Sequence, residues 1–199
     1  MGKLKVVTFI FFVSALIEIV AEYFRWMPII IVFKPLLSIL LMIMYTLDSR
    51  EKNKLFYLVI VTSMITNVLF ISKEITLLFY GIIVFALHRL LFLTYLVKLI
   101  KMKDFIPVAI ASIPFMFLFF YIFYDTDFNR NDIYVLNIIH NIFISLMGGI
   151  ALSQYIMNDS VKSTWLLISV ILFVSLHFII FIERFYIDLR IFRPIAMTL

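Results

Sequence analysis

The chain has 199 residues, 65% of them apolar and 15% charged, against about 45–50% and about 25% in an average soluble domain, and its mean hydropathy is +1.15. That balance excludes a soluble globular fold and intrinsic disorder, and the absence of cysteine excludes a disulfide scaffold or a thiolate metal site. The formal charge of +5 is carried in short segments between apolar runs, where basic residues orient helices against a bilayer rather than meet nucleic acid.

About 20 apolar residues make one helical span, and the runs here predict seven: Leu4–Tyr23, Met27–Leu47, Leu55–Ile71, Ile75–Val97, Phe105–Tyr124, Ile133–Met157 and Thr164–Ile182. The expected fold is all-α, a polytopic transmembrane helical bundle forming a single integral membrane domain over residues 1–199. The first run follows Lys3 and Lys5, yet Glu18 and Glu22 stand where a signal-peptide cleavage site would be expected, so the run is read as a retained helix. Val6 occupies the position where a myristoylation signal needs Ser or Thr, so no lipid anchor is implied.

Ionisable groups inside spans are costly unless they face a partner or a wet cavity, so they mark candidate sites. In the first span Ser14, Glu18 and Glu22 recur every four residues, which places them on one helical face. The second carries Lys34, then Pro35, with Ser38 one turn on; by depth, Glu18 is the expected carboxylate partner of Lys34 if the two helices run antiparallel. A structural ion pair and a head-group site both fit that arrangement. Thr62, Ser63, Thr66 and Asn67 crowd one broad face of the third span, where hydroxyls and amides also serve as interhelical hydrogen-bond partners.

The fourth span places Gly81, His88 and Tyr95 on one face by their spacing of seven, with Arg89 about 100° away. Asn137, Asn141, Ser145 and Gly148 form a polar-to-small stripe in the sixth, beside His140, and the seventh carries Ser175 and His177 before Glu183 and Arg184. All three histidines thus fall in predicted spans. Imidazoles at that depth can relay protons or ligate a metal, although no HxxxH or HExxH pair occurs. From Phe185 to Leu199 the chain is interrupted by Asp188, Arg190, Arg193 and Pro194, so an eighth helix is expected to be truncated or interfacial. The spans divide four plus four at the Lys101–Asp104 break.

A cytoplasmic N-terminus puts Lys3, Lys5, Arg50, Lys52, Lys54, Lys98, Lys101, Lys103 and Lys162 inside, and Arg25, Lys73, Arg130, Arg184, Arg190 and Arg193 outside with the acidic loop Asp125–Asp132. The positive-inside rule favours that orientation.

Lys34-Pro35-Leu36, the run Gly81, Phe85, His88, and the segment from Phe173 to Arg184-Phe185 together resemble the YhhN family of small membrane proteins, whose characterised members are lysoplasmalogenases with about eight helices. The resemblance implies addition of water across the vinyl ether of a lysoplasmalogen, releasing an aldehyde and a glycerophospho head group. Two family carboxylates, in a Gly-Asp of the third helix and a Ser-Asp of the seventh, are replaced here by Thr66-Asn67 and Leu176-His177. The reaction needs one group to protonate the alkene and another to deprotonate water. Asn67 can hold water or substrate only by hydrogen bonds, whereas His177, His88 and Glu18 can transfer protons.

The expected site therefore comprises Asn67, His177, His88 and Glu18 for catalysis, with Asn67 and His177 facing each other across a polar cavity. Lys34, Arg89, Tyr95 and Asn141 are the expected substrate-binding residues, the two cations meeting phosphate. No cofactor is implied, and the expected partners are a membrane lipid or lyso-lipid and the bilayer. Two other readings stand beside this one: a non-catalytic lipid-binding protein, receptor or transporter, and a metal-dependent hydrolase using His88, His140 and His177.

Overall fold

The structure, a computed structural model, describes residues 2–72, 74–100, 104–124, 131–158, 160–187 and 189–198, with residues 131–133, 184 and 185 described by backbone alone. Among the described residues the elements are all helical: α1 (Gly2–Phe24), α2 (Met27–Asp48), α3 (Lys54–Ile71), α4 (Ile75–Ile100), α5 (Ile106–Tyr124), α6 (Asn131–Met157), α7 (Val161–Phe185) and α8 (Phe192–Thr198). The first seven are long and apolar enough to cross a membrane; this is an integral membrane protein. The eighth has seven residues, far short of the roughly 20 that span a bilayer, in keeping with the truncated helix expected. Lys73, Lys101, Lys103 and the loop from Asp125 to Arg130 lie outside the described residues.

The chain forms two compact units, Met1–Leu91 with Leu189–Thr198, and Phe92–Asp188. The division falls inside α4 rather than at the break after it, and α8 joins the first unit by packing on α1.

In the first unit α1 packs on α2 and α2 on α3. The reversal between α1 and α2 is made by Arg25 at φ 56°, with Trp26 N–H donating to the Ala21 carbonyl at 2.9 Å and Arg25 N–H to that of Glu22 at 3.2 Å. This six-to-one and five-to-two pair of bonds, with a left-handed residue between, is a Schellman stop. Pro28 in the first turn of α2 loses no helical bond, because the first amides of a helix have no intrahelical acceptor. α3 starts at Asn53, whose side chain accepts from Leu55 N–H at 2.9 Å.

In the second unit α6 packs on both α5 and α7. Its core joins Leu96 of α4 with Phe119, Ile144, Met147, Ala151, Val170 and Val174. The α5–α6 approach is close: a Cβ on Gly149 would stand 2.8 Å from both Ser112 N and the Val108 carbonyl, and one on Gly148 would meet the Phe115 ring at 2.7 Å. Small residues let helix backbones meet where lipid offers no hydrophobic drive to association. α7 begins with a capping box in which the Ser160 hydroxyl accepts from Ser163 N–H.

Candidate functional site

The polar groups of the first unit form two clusters. On the α1–α2 interface Ser14, Glu18, Glu22, Lys34 and Ser38 are all buried, so the one-faced spacing seen in the sequence points inward. Lys34 Nζ donates to Glu22 Oε1 at 2.7 Å. The partner is thus Glu22 and not Glu18 as expected from depth. The reason is side-chain direction, since Cα–Cβ bonds tilt toward the helix N-terminus. On α2 that tilt leads Lys34 back toward the turn, and on α1 it leads Glu22 inward, so the two meet short of Glu18. Glu18, 3% exposed, is in electrostatic contact with Lys34 and Glu22, and its buried Oε1 has no hydrogen-bond partner among the described residues.

The second cluster lies where α4 meets α3. His88 is buried, and its Nδ1 donates to the Val59 carbonyl at 3.0 Å, with the Thr62 hydroxyl 3.4 Å away. That hydroxyl has its own acceptors in the carbonyls of Leu58 and Val59, at 2.9 and 3.0 Å. A carbonyl can only accept, so Nδ1 carries a proton in this contact.

Phe85 stacks on His88 at 6.1 Å and lies edge-on to Phe70, while the Arg89 guanidinium sits 4.5 Å from the Phe85 ring centroid, within cation–π range. Gly81 makes room for this arrangement, because a Cβ there would stand 2.7 Å from the Phe70 ring. Arg89 is wholly buried. Asn67 is half-buried on α3, one position beyond the buried Thr66.

A model of the YhhN family matches residues 29–199. The chain belongs to the YhhN family. Neither the curated proteins nor the solved structures contain a match. The geometry gives the Gly81, Phe85, His88 run of this YhhN protein a local structural account: the glycine admits Phe70, Phe85 bridges Phe70 to His88 and Arg89, and His88 is anchored on α3. The match starts after α1, so Glu22 lies outside the matched segment and its partner Lys34 inside it.

In the second unit His140, Asn141 and Ser145 on α6, Ser112 on α5 and His177 on α7 are buried. The Ser145 hydroxyl donates to the Asn141 carbonyl at 2.6 Å and that of Ser112 to the Val108 carbonyl at 2.8 Å. Each turns back on its own helix rather than outward. His177 meets the edge of the Phe119 ring, centroids 5.3 Å apart. Asn141 Nδ2 is buried with no hydrogen-bond partner among the described residues, and Tyr95 is half-buried on α4.

Two of the expected catalytic residues, Glu18 and His88, and both expected phosphate-binding cations therefore fall in the first unit with Asn67, and His177, Tyr95 and Asn141 in the second. Among the described residues no three His, Asp or Glu side chains are grouped as metal ligands, so the three-histidine metal reading gains no geometric support. The contacts that sequence reasoning missed, Glu22 on Lys34 and the Val59 carbonyl on His88, had only faint signals: a shared helical face for the first, and nothing for the second, whose acceptor is main chain.

Proposed function

We propose that this YhhN protein is a lysoplasmalogenase-type hydrolase that adds water across the vinyl ether of a lyso-lipid within the membrane, with its N-terminus on the cytoplasmic side of a bacterial inner membrane. The observation that carries this reading is His88. Its Nδ1 is anchored on the Val59 carbonyl at 3.0 Å, which holds at membrane depth an imidazole of the kind that can take a proton from water. In the reaction the alkene carbon takes a proton from an acid, for which Glu18 is the buried carboxyl available in the same unit. Water adds to the resulting oxocarbenium carbon as His88 removes its proton. The hemiacetal so formed collapses to a fatty aldehyde and a glycerophospho alcohol, so one water is consumed and no redox partner is needed. Asn67 orients water or the ether oxygen by hydrogen bonds, and Arg89 and Lys34 supply positive charge for the phosphate. For the second unit, Tyr95 and Asn141 are proposed as binding residues and His177 as a proton-transfer residue.

The assay is aldehyde release from lysoplasmalogen by the purified protein in detergent, with an ester lysophospholipid as control. Loss of a general base costs about 10²–10⁴-fold, so His88→Gln is expected to lower turnover by at least about 100-fold, with His177→Ala and Glu18→Gln run beside it. Wild-type rates in His88→Gln remove His88 from the chemistry.

A second reading, a membrane lipid-binding protein without turnover, is favoured by the amide of Asn67 and the imidazole of His177 at the two positions where the family resemblance implies carboxylates. No aldehyde from the natural chain, with aldehyde from an Asn67→Asp, His177→Asp double variant, is the result that selects it.

A further inference from the structure

The α1–α2 interface holds more charge than its ion pair consumes. Glu22 and Lys34 neutralise each other at 2.7 Å. One turn inward from that pair stand Glu18 on α1 and Ser38 on α2, and one turn beyond Glu18 stands Ser14, all buried. Among the described residues, the charged groups that interact electrostatically with Glu18 are Glu22 from its own helix and Lys34 from α2, while Arg193 of α8 is exposed. From α8, the other helix packed on α1, the buried residues are Pro194 and Ala196, neither of which is charged.

With both carboxylates ionised this buried seam carries a net charge of −1. An uncompensated charge in that setting costs more than an assembly whose charges balance. The Oε1 atom of Glu18, in a residue 3% exposed, is the group left over, buried and without a hydrogen-bond partner among the described residues. A single positive charge at that oxygen closes the balance. A divalent ion overshoots it to +1, and a bulky organic cation does not fit against a side chain so enclosed.

We propose that Glu18 is the centre of a binding site for one small monovalent cation, a proton or a sodium ion, with the hydroxyls of Ser14 and Ser38 as the neighbouring oxygen donors. The chemistry shared by the two occupants is neutralisation of one carboxylate inside the membrane, reversible and without covalent change in the chain. The site stands whether or not a vinyl ether is cleaved, and its test uses no lipid substrate.

The full chain in detergent is treated with dicyclohexylcarbodiimide, which adds to protonated carboxyls in apolar surroundings, and the adducts are located by peptide mass spectrometry. The expected result is an adduct on Glu18 in preference to Glu22, formed more slowly as pH rises, and absent from Glu18→Gln. Replacing choline chloride by sodium chloride at constant ionic strength slows the reaction if sodium is the occupant and leaves it unchanged if the proton is.

Binding to the native state also raises the unfolding midpoint with occupant concentration, so the wild type shows a pH- or sodium-dependent midpoint that Glu18→Gln loses while remaining monodisperse. An adduct mainly on Glu22, no adduct on Glu18 at any pH in choline chloride, or an unchanged dependence of the midpoint in Glu18→Gln overturns the proposal.

Discussion

Lys34→Met takes the positive charge out of the α1–α2 interface and leaves Glu22 buried beside Glu18 without its ion-pair partner. At 2.7 Å, two unit charges in an effective dielectric of about 20 attract by about 6 kcal/mol. Desolvation offsets most of that while the pair is intact, and removing one partner exposes the penalty, so the substitution costs about 3–5 kcal/mol. At about 2–4 °C per kcal/mol for a chain of this length, the unfolding midpoint falls by about 6–20 °C. Glu22→Gln combined with Lys34→Met removes both charges and leaves no orphan, so the double variant is more stable than Lys34→Met alone. Thermal unfolding of the wild type, both single variants and the double variant in one detergent gives the coupling directly. A Lys34→Met midpoint within about 2 °C of the wild type, or a double variant that costs the sum of the singles, refutes the assignment of a buried, mutually dependent pair.

Gly149→Ala forces α5 and α6 apart, because its Cβ meets the Ser112 hydroxyl, Ser112 N and the Val108 carbonyl; the expected cost is about 1–3 kcal/mol. Adding Ser112→Ala does not restore the midpoint, since the two backbone contacts remain. His88→Phe costs only about 1 kcal/mol of stability, because the Val59 carbonyl keeps the Thr62 hydroxyl as a donor and is not orphaned; chemical denaturation checks this, and a small cost makes loss of turnover in His88 variants interpretable. Ala196→Leu overfills the contact of α8 on α1, where Ala196 is 1% exposed, and lowers the midpoint by the equivalent of about 1–3 kcal/mol; no change in the melt means that α8 does not bear on α1.

The all-helical class and the seven spans were legible in the residues themselves. Hydrocarbon admits a backbone only when its own amides and carbonyls pair within the segment, so each apolar run of sufficient length could be read as a helix without knowledge of its neighbours. The inward face of α1 was legible too, because Ser14, Glu18 and Glu22 are polar groups in a setting where polarity must be hidden. The interruption ahead of α8 was legible in Asp188 and Arg190, whereas Arg193 and Pro194, read as further breaks, lie inside the helix.

Contacts between helices were settled by the tertiary structure. The helices are apolar on nearly every side, since lipid and protein interior favour the same side chains, and the contrast that marks the buried face of a soluble helix is missing. Rotation and axial offset are then set by where glycines and serines allow backbones to approach, as at Gly149 and Ser112, and by which way long side chains lean. Depth alone matched Lys34 with Glu18, and side-chain direction matched it with Glu22. In the same way His88 was visible as a buried imidazole, but its anchor is a main-chain carbonyl of α3, which every residue possesses and no sequence pattern singles out. Composition and run length therefore determined how many times this chain crosses the membrane. The mutual setting of helices whose outer surfaces are chemically alike decided which of its polar groups meet, as Glu22 meets Lys34 and His88 meets the Val59 carbonyl.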